Sequence, residues 1–127
     1  MQYSLLIYQT KAQFAARTDP ARRDANTEAF MRYVGALQEA GILVTTLGIE
    51  PPETAATVRP GDGSVAGSGD GAPRVQNGPY ADTPEQLGGL CVIEVPDVDS
   101  ALAWARRAPF EHCGPVEVRL TRVVPAA

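Results

Sequence analysis

The chain has one histidine, one tryptophan, two cysteines and no apolar run near the ~20 residues that a membrane-spanning helix needs. Positive charge is also scarce: 11 Lys and Arg stand against 15 Asp and Glu, a formal net charge of −4. Phosphate backbones and anionic membranes are held by clustered Lys and Arg, so neither a nucleic acid nor a membrane is expected as a partner. A metal site is not expected either. His112 and Cys113 are adjacent, adjacent side chains diverge, and no second Cys/His pair completes a ligand set. The Asp-Gly pairs of 60–71 lack the bidentate Glu of a calcium loop. P-loop and dinucleotide fingerprints are missing, and no cofactor is expected. The opening MQYSLLIYQTKAQ has no basic lead and no long apolar stretch, so a cytoplasmic location is expected, where a Cys91–Cys113 disulfide is disfavoured.

What is present suits one domain spanning 1–127, large enough to bury its own core. YSLLIY (3–8) reads as an inner strand with Tyr3, Leu5 and Ile7 on one face and Ser4, Leu6 and Tyr8 on the other. Asp19-Pro20 reads as the start of a helix over 20–40. Along it Phe30, Tyr33, Val34 and Leu37 share a face, and Gly41 supplies the stop. Strands are expected at 42–49 and 54–59, then a flexible glycine-rich loop at 60–71, with 73–76 returning as the second arm of a hairpin. LCVIEV (90–95) is the most apolar strand and so the central one. Asp97 caps a helix that stops near Ala108-Pro109, and VEVRLTRV (116–123) is a half-exposed strand.

Between these lies NGPYADTPEQLGG (77–89). Asn77-Gly78-Pro79 is turn chemistry. Thr83-Pro84-Glu85-Gln86 fits a capping box, so a single helical turn ended by Gly88-Gly89 is expected, presenting free N–H donors at a rigid rim. The order β-α-β, inserted hairpin, β-α-β defines an α+β, ferredoxin-like split β-α-β fold. One apolar sheet face is left without a helix, so a homodimer packed sheet to sheet is expected.

NGPYADTPEQLGG resembles the signature of the YCII-related proteins of DGPF type, with Gly78, Pro79, Ala81, Thr83, Glu85, Gln86, Gly88 and Gly89 matching, and the likeness extends across the chain outside the glycine-rich loop. The resemblance implies a dimeric α/β barrel. Relatives include small-molecule enzymes such as dehydrochlorinases, and others encoded beside or fused to sigma factors. The simplest members carry a proposed His–Asp pair. The matching positions here are Phe30 and Asn77, so that pair does not carry over.

Ligand-contacting candidates are Tyr8, Asn77, Gly78, Pro79, Tyr80 and Asp82, with His112, the one side chain that titrates near neutral pH, as a candidate catalytic base. Arg59 and Arg119 are candidates to hold a carboxylate. The expected function is the binding of a small organic ligand, with accessory lyase, isomerase or cyclase-like activity. The alternative is a non-catalytic ligand-binding or regulatory dimer.

Overall fold

The computed structural model describes residues 1–62 and 71–126; most of the expected glycine-rich loop, 63–70, lies outside the described residues. In chain order the elements are β1 (Gln2–Thr10), α1 (Lys11–Ala16), α2 (Arg23–Glu39), β2 (Leu43–Gly48), a 3-10 turn (Pro52–Thr54), β3 (Ala56–Arg59), β4 (Arg74–Asn77), β5 (Glu85–Glu94), α3 (Val98–Ala105) and β6 (Val116–Thr121). The chain divides into two compact units, Met1–Ile49 with Pro84–Ala127, and Glu50–Thr83.

The first unit is built on a four-stranded sheet in the order β2-β5-β1-β6, antiparallel at every neighbouring pair. This is the ferredoxin-like arrangement of two interleaved β-α-β halves. β1 and β5 occupy the centre, as their apolar runs require. Tyr3, Leu5 and Ile7 of β1 pair with Ile93, Cys91 and Gly89 of β5, so one periodicity places all of them on the same face. Tyr33 and Leu37 of α2 and Ala101 and Ala105 of α3 close over that face, and Leu5, Leu37, Ile93 and Ala101 are fully buried. Asp97 caps α3 by accepting from Ser100 N at 2.8 Å. Gly41, at φ +73°, turns the chain out of α2 toward β2.

Two expectations fail locally. The helix anticipated over 20–40 starts at Arg23, and a separate α1 precedes it. Asp19 does not cap a helix: its carboxylate accepts from Ala21 N at 3.2 Å and Arg22 Nε at 2.6 Å, and its carbonyl closes a turn onto Arg22 and Arg23. α1 begins on a reciprocal capping box, with Thr10 Oγ1 accepting from Gln13 N and Gln13 Oε1 from Thr10 N.

The helical turn expected at 84–88 is also absent, because β5 begins at Glu85 and pairs with β1 as far as Thr10. A single turn forms too few internal bonds to repay its nucleation, whereas this segment finds a strand partner. Gly88 is the extra residue of a bulge, since Ile7 pairs with Gly89 and Tyr8 with Leu87.

The second unit is a hairpin in which β3 and β4 pair from Ala56–Asn77 to Arg59–Arg74. Gly78, at φ +105°, ends it, donating its N–H to Ala55 O at 2.8 Å and accepting at its carbonyl from Thr57 Oγ1 at 2.8 Å. Among the described residues no helix is long and apolar enough to cross a membrane.

Candidate functional site

In the first unit a cavity of about 320 Å³ lies between α2 and the ends of β1, β2 and β5. Its wall is largely apolar: Ile7, Phe30, Met31, Val34, Leu47 and Leu90 all contribute. Six residues of α2 line it, Asn26, Thr27, Phe30, Met31, Tyr33 and Val34, which recur at intervals of three and four along one helical face. The sheet side is low there because Gly48, Gly88 and Gly89 carry no side chain. A Cβ on Gly89 would meet Leu47 O at 3.0 Å, so the close approach of β2 to β5 depends on that glycine.

Polar groups enter at a few points. Arg17 Nη1 donates to Ile49 O at 2.6 Å, and Nη2 donates to Gly88 O at 2.7 Å and to Gln9 Oε1. Gln9, 1% exposed, also donates Nε2 to His112 O at 2.9 Å. One buried amide thus joins the loop before β6 to the guanidinium beside the bulge. Thr46 Oγ1 lies 3.3 Å from both Leu90 O and Cys91 Sγ. Asn26 is 3% exposed, and its Oδ1 has no hydrogen-bond partner.

Burial sets the electrostatics of the surrounding core. It raises the Cys91 thiol, an effect partly offset by the Thr46 hydroxyl, and pushes Cys113 up to about 11. It also raises Tyr33, whose hydroxyl donates to Trp104 O at 2.7 Å. Both cysteines are free and buried, so both are protonated, weakly nucleophilic thiols at neutral pH. In the unfolded chain these thiols ionise near 9. The unfolded state therefore sheds its protons first as pH rises, and stability should fall from about pH 9 toward 11. Urea melts at pH 7.5, 9 and 10.5 should show this, with the Cys113→Ala variant losing less across the interval; an unchanged slope in that variant would sink the assignment.

The residues nominated from sequence fall in three places. Tyr8 is half-buried on the sheet face opposite the core, its hydroxyl donating to Glu117 Oε1 at 3.0 Å. Burial and that carboxylate raise Tyr8, while Arg119 and Tyr8 lower Glu117. Arg119 is engaged with Glu117. His112 lines a different recess, about 440 Å³, on the helix side with Arg32, Tyr33, Arg107 and Glu111. Tyr8 and His112 therefore face opposite sides of the sheet. Asn77, Gly78, Pro79, Tyr80 and Asp82 belong to the hairpin unit. Tyr80 is 76% exposed there, and the Arg59 guanidinium stands 5.4 Å from its ring centroid.

Sequence reasoning passed over Arg17 and Asn26. Asn26 had a readable signal, because it extends the Phe30–Val34 face one turn toward the helix start, a polar residue at a core position. Arg17 had none, since its acceptors lie at Ile49 and Gly88.

A β2-β5-β1-β6 antiparallel sheet under two crossing helices, with a ligand-sized hollow at one end, defines an α+β protein of ferredoxin-like class. The chain belongs to the YCII-related domain family, whose model matches residues 1–124. An uncharacterized protein of Rhizobium meliloti (strain 1021) is 32% identical over 110 residues, covering 84% of this chain and 78% of that protein.

Proposed function

We propose that this protein binds a small organic molecule in the cavity beneath α2, as a cytoplasmic homodimer, and that it does so without acid–base chemistry. The observation that carries the reading is the cavity itself: about 320 Å³, apolar-walled, with a few polar groups at fixed points. That is the anatomy of small-molecule sites, at the small end of their range. Among the described residues of the wall there is no carboxylate and no imidazole, and the thiol is held protonated. These features favour binding over turnover. The dimer is supported by Val44 and Leu47 of the edge strand β2, 50% and 56% exposed.

A second reading is favoured by Tyr80. An exposed ring with a guanidinium over it is a platform for a planar ligand. In that reading Asn77, Gly78, Pro79, Tyr80 and Asp82, all of the hairpin unit, hold the ligand.

A thermal-shift screen against neutral organic metabolites, with light scattering on the same sample, tests both. A ligand at 100 times its Kd stabilises by about 2.7 kcal/mol, a shift of several degrees. The expected result is a dimer mass and a hit whose shift is lost in Phe30→Trp, which fills the cavity, and kept in Tyr80→Ala. Loss in Tyr80→Ala alone would transfer the site to the hairpin. No hit at all would remove the binding function.

A further inference from the structure

We propose that the recess between α2 and residues 107–112 is a second binding site, one that takes an apolar monocarboxylate and holds its carboxyl group on the Arg107 guanidinium. The recess measures about 440 Å³, and of its lining only Tyr33 also borders the cavity described above. Its floor on α2 is Ala29, Arg32, Tyr33 and Ala36, spaced three and four apart and so on one helical face. The two alanines leave room that longer side chains would fill. The opposite wall follows α3 as a run of tight turns. Arg107 N donates to Trp104 O at 3.0 Å, Ala108 N to Ala105 O at 3.1 Å, Phe110 N to Ala108 O at 2.8 Å and His112 N to Pro109 O at 2.8 Å. The buried Gln9 amide ties down the far end, donating to His112 O at 2.9 Å. The wall is thus formed by the fold itself, as the walls of small-molecule sites usually are.

Arg107 is the anchor because it is held in place. Its guanidinium stands 4.2 Å from the Trp104 ring centroid. Among the described residues no ion pair or side-chain hydrogen bond engages it. A guanidinium stacked on a ring presents its N–H edge to a carboxylate as a preformed fork, and loses less freedom when the bonds form. Its charge is felt inside the recess: burial pushes the Tyr33 hydroxyl up, and Arg107 acts against that rise. Arg32 brings a second positive charge from α2. Its pair with Glu28 is exposed on both sides, a weak attachment that a ligand can displace. His112 adds a ring N–H. Glu111 sets the limit. One carboxylate against two guanidiniums leaves the lining suited to one negative charge and opposes a phosphate dianion. Ala29, Ala36, Ala108, Pro109 and the exposed Phe110 ring supply an apolar surface for the rest of the ligand.

Cyclohexanecarboxylate and cyclohexanecarboxamide have nearly the same shape, and only the acid is charged at neutral pH. Their binding, and that of inorganic phosphate, can be followed by nitrogen-15 NMR of the full chain. The reporters are the Trp104 indole N–H, the single indole of the chain, and the backbone amides of residues 107, 108 and 110–112. The acid is expected to shift these signals at millimolar concentration and to bind about tenfold to a hundredfold more tightly than the amide, the range for hydrogen bonds made by a charged group. Arg107→Met should abolish that preference, Arg107→Lys should keep part of it, and Glu111→Gln should tighten the acid about two- to fivefold. Equal binding of acid and amide, or a preference that survives in Arg107→Met, would overturn the role of Arg107. Phosphate binding as tightly as the acid would overturn the monocarboxylate class. Absence of shifts at 107–112 with millimolar acid, or shifts confined to Ile7 and Val34, would overturn the site itself and leave the cavity beneath α2 unaffected.

Discussion

Replacing Arg17 by methionine should destabilise the protein by about 1.5–3 kcal/mol, the range for hydrogen bonds to a charged group. Methionine keeps most of the aliphatic stem and removes the fork. Ile49 O and Gly88 O each lose a donor, although Gly88 O retains the Ile49 N–H at 2.9 Å. Gln9 Oε1 fares worst, because Gln9 is 1% exposed and water has little access to replace the guanidinium. The bulge and the β2 exit would loosen together, which should also weaken any ligand bound beneath α2. Urea denaturation checks the stability. A loss under about 0.5 kcal/mol, the range of ordinary surface substitutions, would mean that the fork adds nothing to the junction.

Gly88→Ala approaches the same junction from the other side, with an expected loss of about 2 kcal/mol. The new Cβ would stand 3.0 Å from Arg17 Nη2 and Gln9 Cδ, and well inside contact distance of Gln9 Oε1. The far end of a glutamine normally swings aside. Here it is pinned by His112 O and enclosed. The double variant Arg17→Met/Gly88→Ala should lose less than the sum of the two, because removing the fork frees Gln9 to move. Strict additivity would show that the clash is relieved by backbone movement instead.

Much of the sheet was readable because its signal is periodic. Tyr3, Leu5 and Ile7 announce a face, and LCVIEV announces a central strand. Local capping signals were less reliable. Thr83-Pro84-Glu85-Gln86 carries the same marks as a true helix start, but the pairing of Glu85 with Thr10, invisible in a local window, decides the conformation. Thr10-Lys11-Ala12-Gln13 is the converse case, a real capping box concealed at the end of a strand. For the candidate site, Phe30 in place of the histidine of the simplest relatives was legible, and Phe30 lies in the cavity wall. The Arg17–Gln9–Gly88 junction was not, because Arg17 reaches a residue 71 positions away through a backbone carbonyl that any sequence could supply.

The central place of β1 has a consequence during synthesis. Its two neighbours in the sheet are β5 and β6. A ribosome adding roughly 5–20 residues per second needs about 4–15 s after Thr10 before it reaches Glu85. Throughout that interval the nascent chain carries Leu5, Leu6 and Ile7 on a strand with no hydrogen-bonding neighbour, and the sheet can close only when the last part of the chain emerges. The emerging polypeptide is therefore most exposed to mispairing along β1, whose two sheet neighbours are both made long after it.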